Sequence, residues 1–239
     1  MASPAQLHDK TALITGASRG IGAAVAKRFA AEGAHVILVA RTVGGLEETD
    51  DTITKAGGKA TLVPLDLMEH GKIDALGAHI AERFGKLDIL VGNAGILGDL
   101  TPLSHGDAAM WDKVMSTNVT ANWRLIRSLD PLLKASEAGR AIFVTSGMSR
   151  APHAYWGPYA VSKVALEMLV KTYAAELTTT NVKANLVDPG IIDTAMLASA
   201  MPGMNTSTVP KPDSITDLFV KLALTSCTAQ GEIHQAIKK

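Results

Sequence analysis

Short apolar runs alternate with longer amphipathic stretches from one end of the chain to the other. Residues 11–15, 35–40, 60–64, 87–91, 141–145 and 183–187 form the apolar runs, and their near-continuity predicts strands buried on both faces. Between them, residues 21–32, 46–56, 72–84, 110–135 and 159–177 carry apolar positions at helical spacing. Gly33 marks the end of the first helix and Gly57-Gly58 the end of the second. Pro131 is expected to kink or interrupt the fourth. Strand–helix alternation of this kind predicts a parallel sheet with helices on both faces, and such sheets bind ligands at the carboxyl ends of their strands. The long irregular stretch is 191–213, with Pro210, Pro212 and methionines 196, 201 and 204, and a segment of this length reads as a functional loop or lid.

Composition narrows the class without naming an activity. With 239 residues the chain can bury a sizeable core as one domain, and 47% hydrophobic with 19% charged residues place it among globular proteins. The 23 Lys and Arg balance the 23 Asp and Glu, so no net field would draw nucleic acid or a membrane surface. Cys227 stands alone, which excludes an internal disulfide and fits a reducing compartment. Residues 1–10 lack an apolar leader segment, and no apolar run reaches membrane length. The seven histidines are scattered without metal-ligand spacing. The expectation is a cytoplasmic protein without nucleic-acid, membrane or metal partners.

Candidate chemistry lies where the sheet rule points. After the first strand comes Thr15-Gly16-Ala17-Ser18-Arg19-Gly20-Ile21-Gly22, running straight into a helix. Glycines there allow a tight turn and close approach of a pyrophosphate, and the helix start supplies amide donors and positive potential. The second strand ends Val39-Ala40-Arg41, with no carboxylate to grip an adenosine ribose. Arg41, with Arg19 nearby, suits a 2′-phosphate instead, so NADP(H) is expected in preference to NAD(H). Further on, Tyr159 and Lys163 stand four apart on a predicted helix that opens with Gly157-Pro158, and so share one face. A neighbouring ammonium and the helix dipole would both lower the phenol's pKa toward the range useful for proton transfer.

Taken together, the 15–22 turn, Asn93-Ala94-Gly95, Asn118, Ser146 and Tyr159-x-x-x-Lys163 resemble the short-chain dehydrogenase/reductase family, in its order and spacing, from the first strand to about residue 195. Ser146 lies 13 residues before Tyr159, and Asp188-Pro189-Gly190 follows the sixth strand as the family's Pro-Gly turn does. The resemblance implies an α/β, Rossmann-type doubly wound parallel sheet of about seven strands forming one domain over 1–239. Residues 11–95 would bind the dinucleotide, and 96–239 would carry catalysis with the substrate loop 191–213. It further implies that Tyr159 is the general acid or base, and that Lys163 lowers its pKa and holds the nicotinamide ribose. Ser146 would bind the substrate oxygen, and Asn118 would hold a proton-relay water. Gly16, Ser18, Arg19, Gly20, Ile21, Gly22 and Arg41 would hold the phosphates. Asp66 and Leu67 would meet the adenine, Asn93, Ala94 and Gly95 the adenosine, and Pro189, Gly190, Ile191, Ile192 and Thr194 the nicotinamide.

Two departures from the family pattern stand out. Gly92 occupies the place of a frequent second asparagine, and the C-terminal segment around 228–235 keeps the makings of a last strand without the usual tail. The chain looks most like the 3-oxoacyl-thioester reductase branch, acting on a small-molecule carbonyl. Met196, Leu197, Met201 and Met204 face Gly147–Arg150 and His153–Trp156 across the expected pocket, and Arg150 is a candidate for an acidic substrate group. An NAD-linked alcohol dehydrogenase and a non-catalytic nucleotide-binding regulator remain alternatives at this point. The family resemblance suggests a homodimer or homotetramer.

Overall fold

A computed structural model of the chain describes residues 5–237. Seven parallel strands form one sheet: β1 (Thr11–Thr15), β2 (His35–Ala40), β3 (Lys59–Pro64), β4 (Ile89–Gly92), β5 (Arg140–Val144), β6 (Lys183–Asp188) and β7 (Ile233–Gln235). Their order is β3-β2-β1-β4-β5-β6-β7, so the winding reverses between β1 and β4. The carboxyl ends of these two strands are where a doubly wound sheet forms its ligand crevice. The helices are α1 (Gly20–Ala31), α2 (Val43–Lys55), α3 (His70–Phe84), α4 (Ala108–Met115), α5 (Ala121–Ala135), α6 (Gly157–Glu176), α7 (Ala195–Ala200) and α8 (Thr216–Ala223).

Alternation along the strands divides the interior in two. Leu13, Ile37 and Leu90 pack under α3, α5 and α6, while Ala12, Ile14, Val36 and Leu38 pack under α1, α2 and α8. Both faces of each inner strand are therefore apolar, which explains the continuous runs in the sequence. Phe29, Phe143 and Phe219 are fully buried, and truncating any of them to alanine would cost about 3–5 kcal/mol.

Several elements depart from the sequence expectation. The fourth helix is not one rod: α4 and α5 are joined by a π-turn, Ser116–Thr120, in which Ala121 N–H reaches back to Ser116 O. Pro131 does not break α5, which continues through it to Ala135. Its ring lies on the exposed face, where the carbonyl it leaves unpaired can meet solvent. The stretch 191–213 contains α7, and the sequence reading did not anticipate α8. The last strand is present as β7, pairing Leu186 with Ile233. At Gly92 a Cβ would stand 2.4 Å from the Phe143 ring and 2.5 Å from Asn122 Oδ1, so those two side chains fill the place a larger residue would need.

Candidate active site

The glycine turn after β1 is held by side chains as well as by its own backbone. Thr15 Oγ1 accepts the N–H of Asn93 at 3.0 Å and of Ala94 at 3.1 Å. Asn93 Nδ2 donates to Thr15 O at 2.9 Å. Asn93, expected to line the adenosine side, thus spends its amide bracing the turn. Gly16 has φ +67° and Gly20 φ +58°, the left-handed region that glycine enters without cost. A Cβ at Gly22 would stand 2.3 Å from Gly16 O and 2.5 Å from Asn93 Nδ2. Gly45, in the first turn of α2, has no room for a Cβ against Ser18. Helix α2 starts earlier than its apolar pattern suggests, with two glycines in its first turn. Across the crevice Thr194 caps α7, accepting from Leu197 N–H, and its methyl would lie 3.6 Å from a Cβ at Gly20.

The crevice fits a dinucleotide on these observations. The turn presents the start of α1 with Arg19 as its extended first residue, and the glycines keep that approach clear. Arg41, at the carboxyl end of β2, lies 3.7 Å from Asp66, and its side chain is 59% exposed. Asp66 also accepts Met68 N–H, so both residues have a partner within the chain. Leu67 is buried in the core, as is Ile192, which leaves their backbones rather than their side chains to a ligand. Ile191 is exposed beside Gly190, whose φ is +73°, and Pro189 is buried. Ile21 is half-buried in the first turn of α1. Among the described residues no group of three or more His, Cys, Asp or Glu is arranged to hold a metal.

The catalytic candidates meet at the carboxyl end of β5. The Ser146 hydroxyl lies beside the Tyr159 phenol, and Lys163 Nζ donates to Val144 O at 2.8 Å while lying 5.6 Å from the Tyr159 ring centre. Gly95 comes in from β4, where a Cβ would stand 3.7 Å from Lys163 Nζ and 3.2 Å from Asn118 Oδ1. The electrostatics differ from the sequence expectation. Burial pushes the Tyr159 pKa up, Ser146 works in the opposite direction, and the negative charge of Asp188 adds to the rise. Burial also lowers Lys163 to about 8, against a smaller upward pull from Glu167. The ammonium is turned to a backbone carbonyl, and the desolvation of the phenol outweighs the hydroxyl beside it.

Asn118 lies in the π-turn. Its Oδ1 accepts Ile96 N–H at 2.8 Å, and its Nδ2 donates to Ile96 O at 2.9 Å and to Ser162 Oγ at 3.0 Å. Its main-chain carbonyl accepts Asn122 Nδ2 at 2.8 Å. Sequence reasoning missed the residues that hold this machinery in place. Glu167 is one of them, one turn beyond Lys163 on α6. Its Oε1 takes Thr145 Oγ1 at 2.7 Å and Ser149 Oγ at 2.5 Å, gripping the chain on both sides of Ser146. The four-residue rhythm Tyr159, Lys163, Glu167 was its one visible signal.

Comparison with known proteins extends the match beyond these residues. The profile of the short chain dehydrogenase family covers residues 10–205. The uncharacterized oxidoreductase YciK of Escherichia coli (strain K12) is 35% identical over 90% of this chain and 86% of its own. The ketoacyl reductase HetN of Nostoc sp. is 31% identical over 96% of this chain and 80% of its own. A solved NADPH complex from Escherichia coli CFT073 superposes with a TM-score of 0.93 at 34% identity, covering 99% of this chain and 100% of that one. With the family profile covering 10–205, and a relative and a solved structure matched over most of its length, the chain belongs to the short chain dehydrogenase family of oxidoreductases.

Proposed function

We propose that the chain is an NADPH-dependent carbonyl reductase acting on an apolar ketone or a 3-oxoacyl thioester. The convergence of Ser146, Tyr159 and Lys163 beside the glycine turn carries this reading. When bound, the reduced nicotinamide supplies a hydride to the carbonyl carbon. Ser146 holds the carbonyl oxygen, and Tyr159 gives it a proton, its raised pKa keeping the phenol protonated and ready as an acid at neutral pH. Lys163 orients the ribose and stands behind the phenol. Asn118 fixes the 96 segment against α6 and would hold a relay water.

Residues 15–22, with Arg41, Asp66, Leu67, Asn93, Ala94 and Gly95, would hold the adenosine end, and residues 189–194 the nicotinamide end. Exposed Arg41 and Arg19 support the preference for NADP(H), as does the NADPH complex of the related structure. The reading includes a homodimer or homotetramer. Val161, Val164 and Met168 leave an exposed apolar stripe on α6, with Trp123 exposed on α5, as surfaces for a second copy. It places the enzyme in the cytoplasm, in keeping with its lone cysteine; no described helix is long and apolar enough to cross a membrane.

The test is a panel of ketones, aldehydes and 3-oxoacyl thioesters followed by NADPH oxidation, with Tyr159→Phe alongside. The variant should bind NADPH normally and lose turnover by ~100-fold or more. Full activity in the variant would remove Tyr159 from its role, and tighter binding of NADH than NADPH would remove the cofactor assignment.

A further inference from the structure

From the sequence, Arg150 stands free to meet an acidic substrate. In the structure its guanidinium already has a partner. Nη1 donates to Asp188 Oδ2 at 2.5 Å, and the Asp188 side chain is only 8% exposed against 37% for Arg150. The second carboxylate oxygen accepts Gly190 N–H at 3.1 Å. Both charged groups lie against Gly147, where a Cβ would stand 3.7 Å from Arg150 Nη1 and from Asp188 Oδ2. Asp188 ends β6, whose Val187 O accepts Thr145 N–H at 2.8 Å, so the ion pair flanks Ser146 directly.

We propose that Asp188 makes the site selective for uncharged carbonyl compounds by occupying the guanidinium of Arg150. The inference rests on the carbonyl-reductase reading and narrows its substrate class. A carboxylate entering beside Ser146 would have to take Arg150 from a buried, hydrogen-bonded partner. Asp188 would then be left uncompensated, facing a second negative charge, and removing one partner of a buried pair is strongly destabilising. A ketone, ester or thioester meets no such barrier. The nearby loops agree with a neutral ligand: Leu100, Leu103, Tyr155, Met201 and Met204 are exposed apolar side chains on the segments flanking the site. Thr101 N–H also bonds Tyr155 O, joining two of those segments. A free 3-oxo acid is therefore the wrong substrate, and its ester or thioester the right one.

The experiment compares a 3-oxo carboxylate with its methyl ester, matched in chain length, on the full chain with NADPH. The wild type should favour the ester in kcat/KM by about tenfold or more. Asp188→Asn should move that ratio toward the carboxylate by about tenfold, and adding Arg150→Met should cancel the move. An unchanged ratio in Asp188→Asn overturns the proposal, as does a wild type that prefers the carboxylate and loses the preference in Arg150→Met. Calorimetric titration of the same carboxylate into wild-type protein with NADP+ gives an answer that needs neither turnover nor a folded Asp188 variant. Undetectable binding of the carboxylate where the ester binds supports the proposal, and saturable binding lost in Arg150→Met refutes it. Should the wild type reduce neither compound, the reductase reading falls, while the titration still decides the charge preference.

Discussion

Arg41 and Lys163 both belong to the proposed dinucleotide crevice, one at the carboxyl end of β2 and the other on α6. Arg41 keeps 59% of its side chain in solvent, whereas Lys163 is 4% exposed. A charge in water acts weakly, with about 1 kcal/mol between two charges 4 Å apart, and salt screens it further. It can turn toward whichever phosphate arrives. A desolvated charge pays for its burial in its own titration, and Lys163 is lowered to about 8. On the proposed reading, the adenosine side of the crevice would select among cofactors, and the nicotinamide side would be built around groups whose protonation the protein controls.

The largest effect tests the buried side. Lys163→Met should abolish turnover, by ~100-fold or more in kcat, while raising the stability of the protein near neutral pH. The sign follows from the lowered folded-state pKa. Between about 8 and 10.5 the unfolded chain holds more protons on Lys163 than the folded one does. Relative to the variant, the wild type is at its weakest below pH 8 and recovers as pH climbs toward 10.5. That recovery is on the order of 3 kcal/mol, at roughly 1.4 kcal/mol per pKa unit. Denaturant melts of both proteins across this range would show it, and a constant difference would mean that Lys163 is not a desolvated ammonium.

A smaller effect separates the turn from its surroundings. Gly22→Ala forces a methyl to 2.3 Å from Gly16 O and should lower stability by about 1–3 kcal/mol, with a parallel loss of NADPH affinity in a fluorescence titration. Gly44→Ala, in the first turn of α2 with nothing within 4 Å of its Cβ, is the control; it should leave affinity alone and stabilise the helix by roughly 0.5–1 kcal/mol. The smallest change is at the exposed cation. Arg41→Ala should weaken NADPH by about tenfold and leave NADH almost unchanged, with the gap shrinking as salt rises. If the gap survived 1 M salt, the guanidinium would be acting as something other than a solvent-exposed charge.

Much of this was legible in the sequence, for identifiable reasons. Strands such as β1 and β2 betray themselves because burial on both faces makes their inner positions continuously apolar, Ala12 to Ile14 and Val36 to Ala40. Ser146, Tyr159 and Lys163 could be read because their spacing follows from one strand end and one helix. What escaped depends on partners distant in the chain. Arg150 and Asp188 are 38 residues apart, and Thr145 and Glu167 are 22 apart, so no local pattern announces either contact. Helix α8, at eight residues, is too short for periodicity to stand out, although Phe219 and Val220 anchor it in the core. The π-turn was hidden for a different reason, because the apolar rhythm continues on both sides of it.

That turn has an evolutionary corollary. A π-turn is a helical turn carrying one surplus residue, and each residue of an α-helix advances it by about 100°. Deleting one residue of Ser116–Thr120 other than Asn118 removes that surplus, so the segment can rewind as an ordinary helical turn with Leu125, Leu129 and Leu133 kept on the buried face. The loss falls instead on the widened turn, which sets Asn118 against Ile96 and Ser162. Among descendants of this chain, a one-residue gap between Met115 and Ala121 should therefore spare the fold and cost the Asn118 contacts.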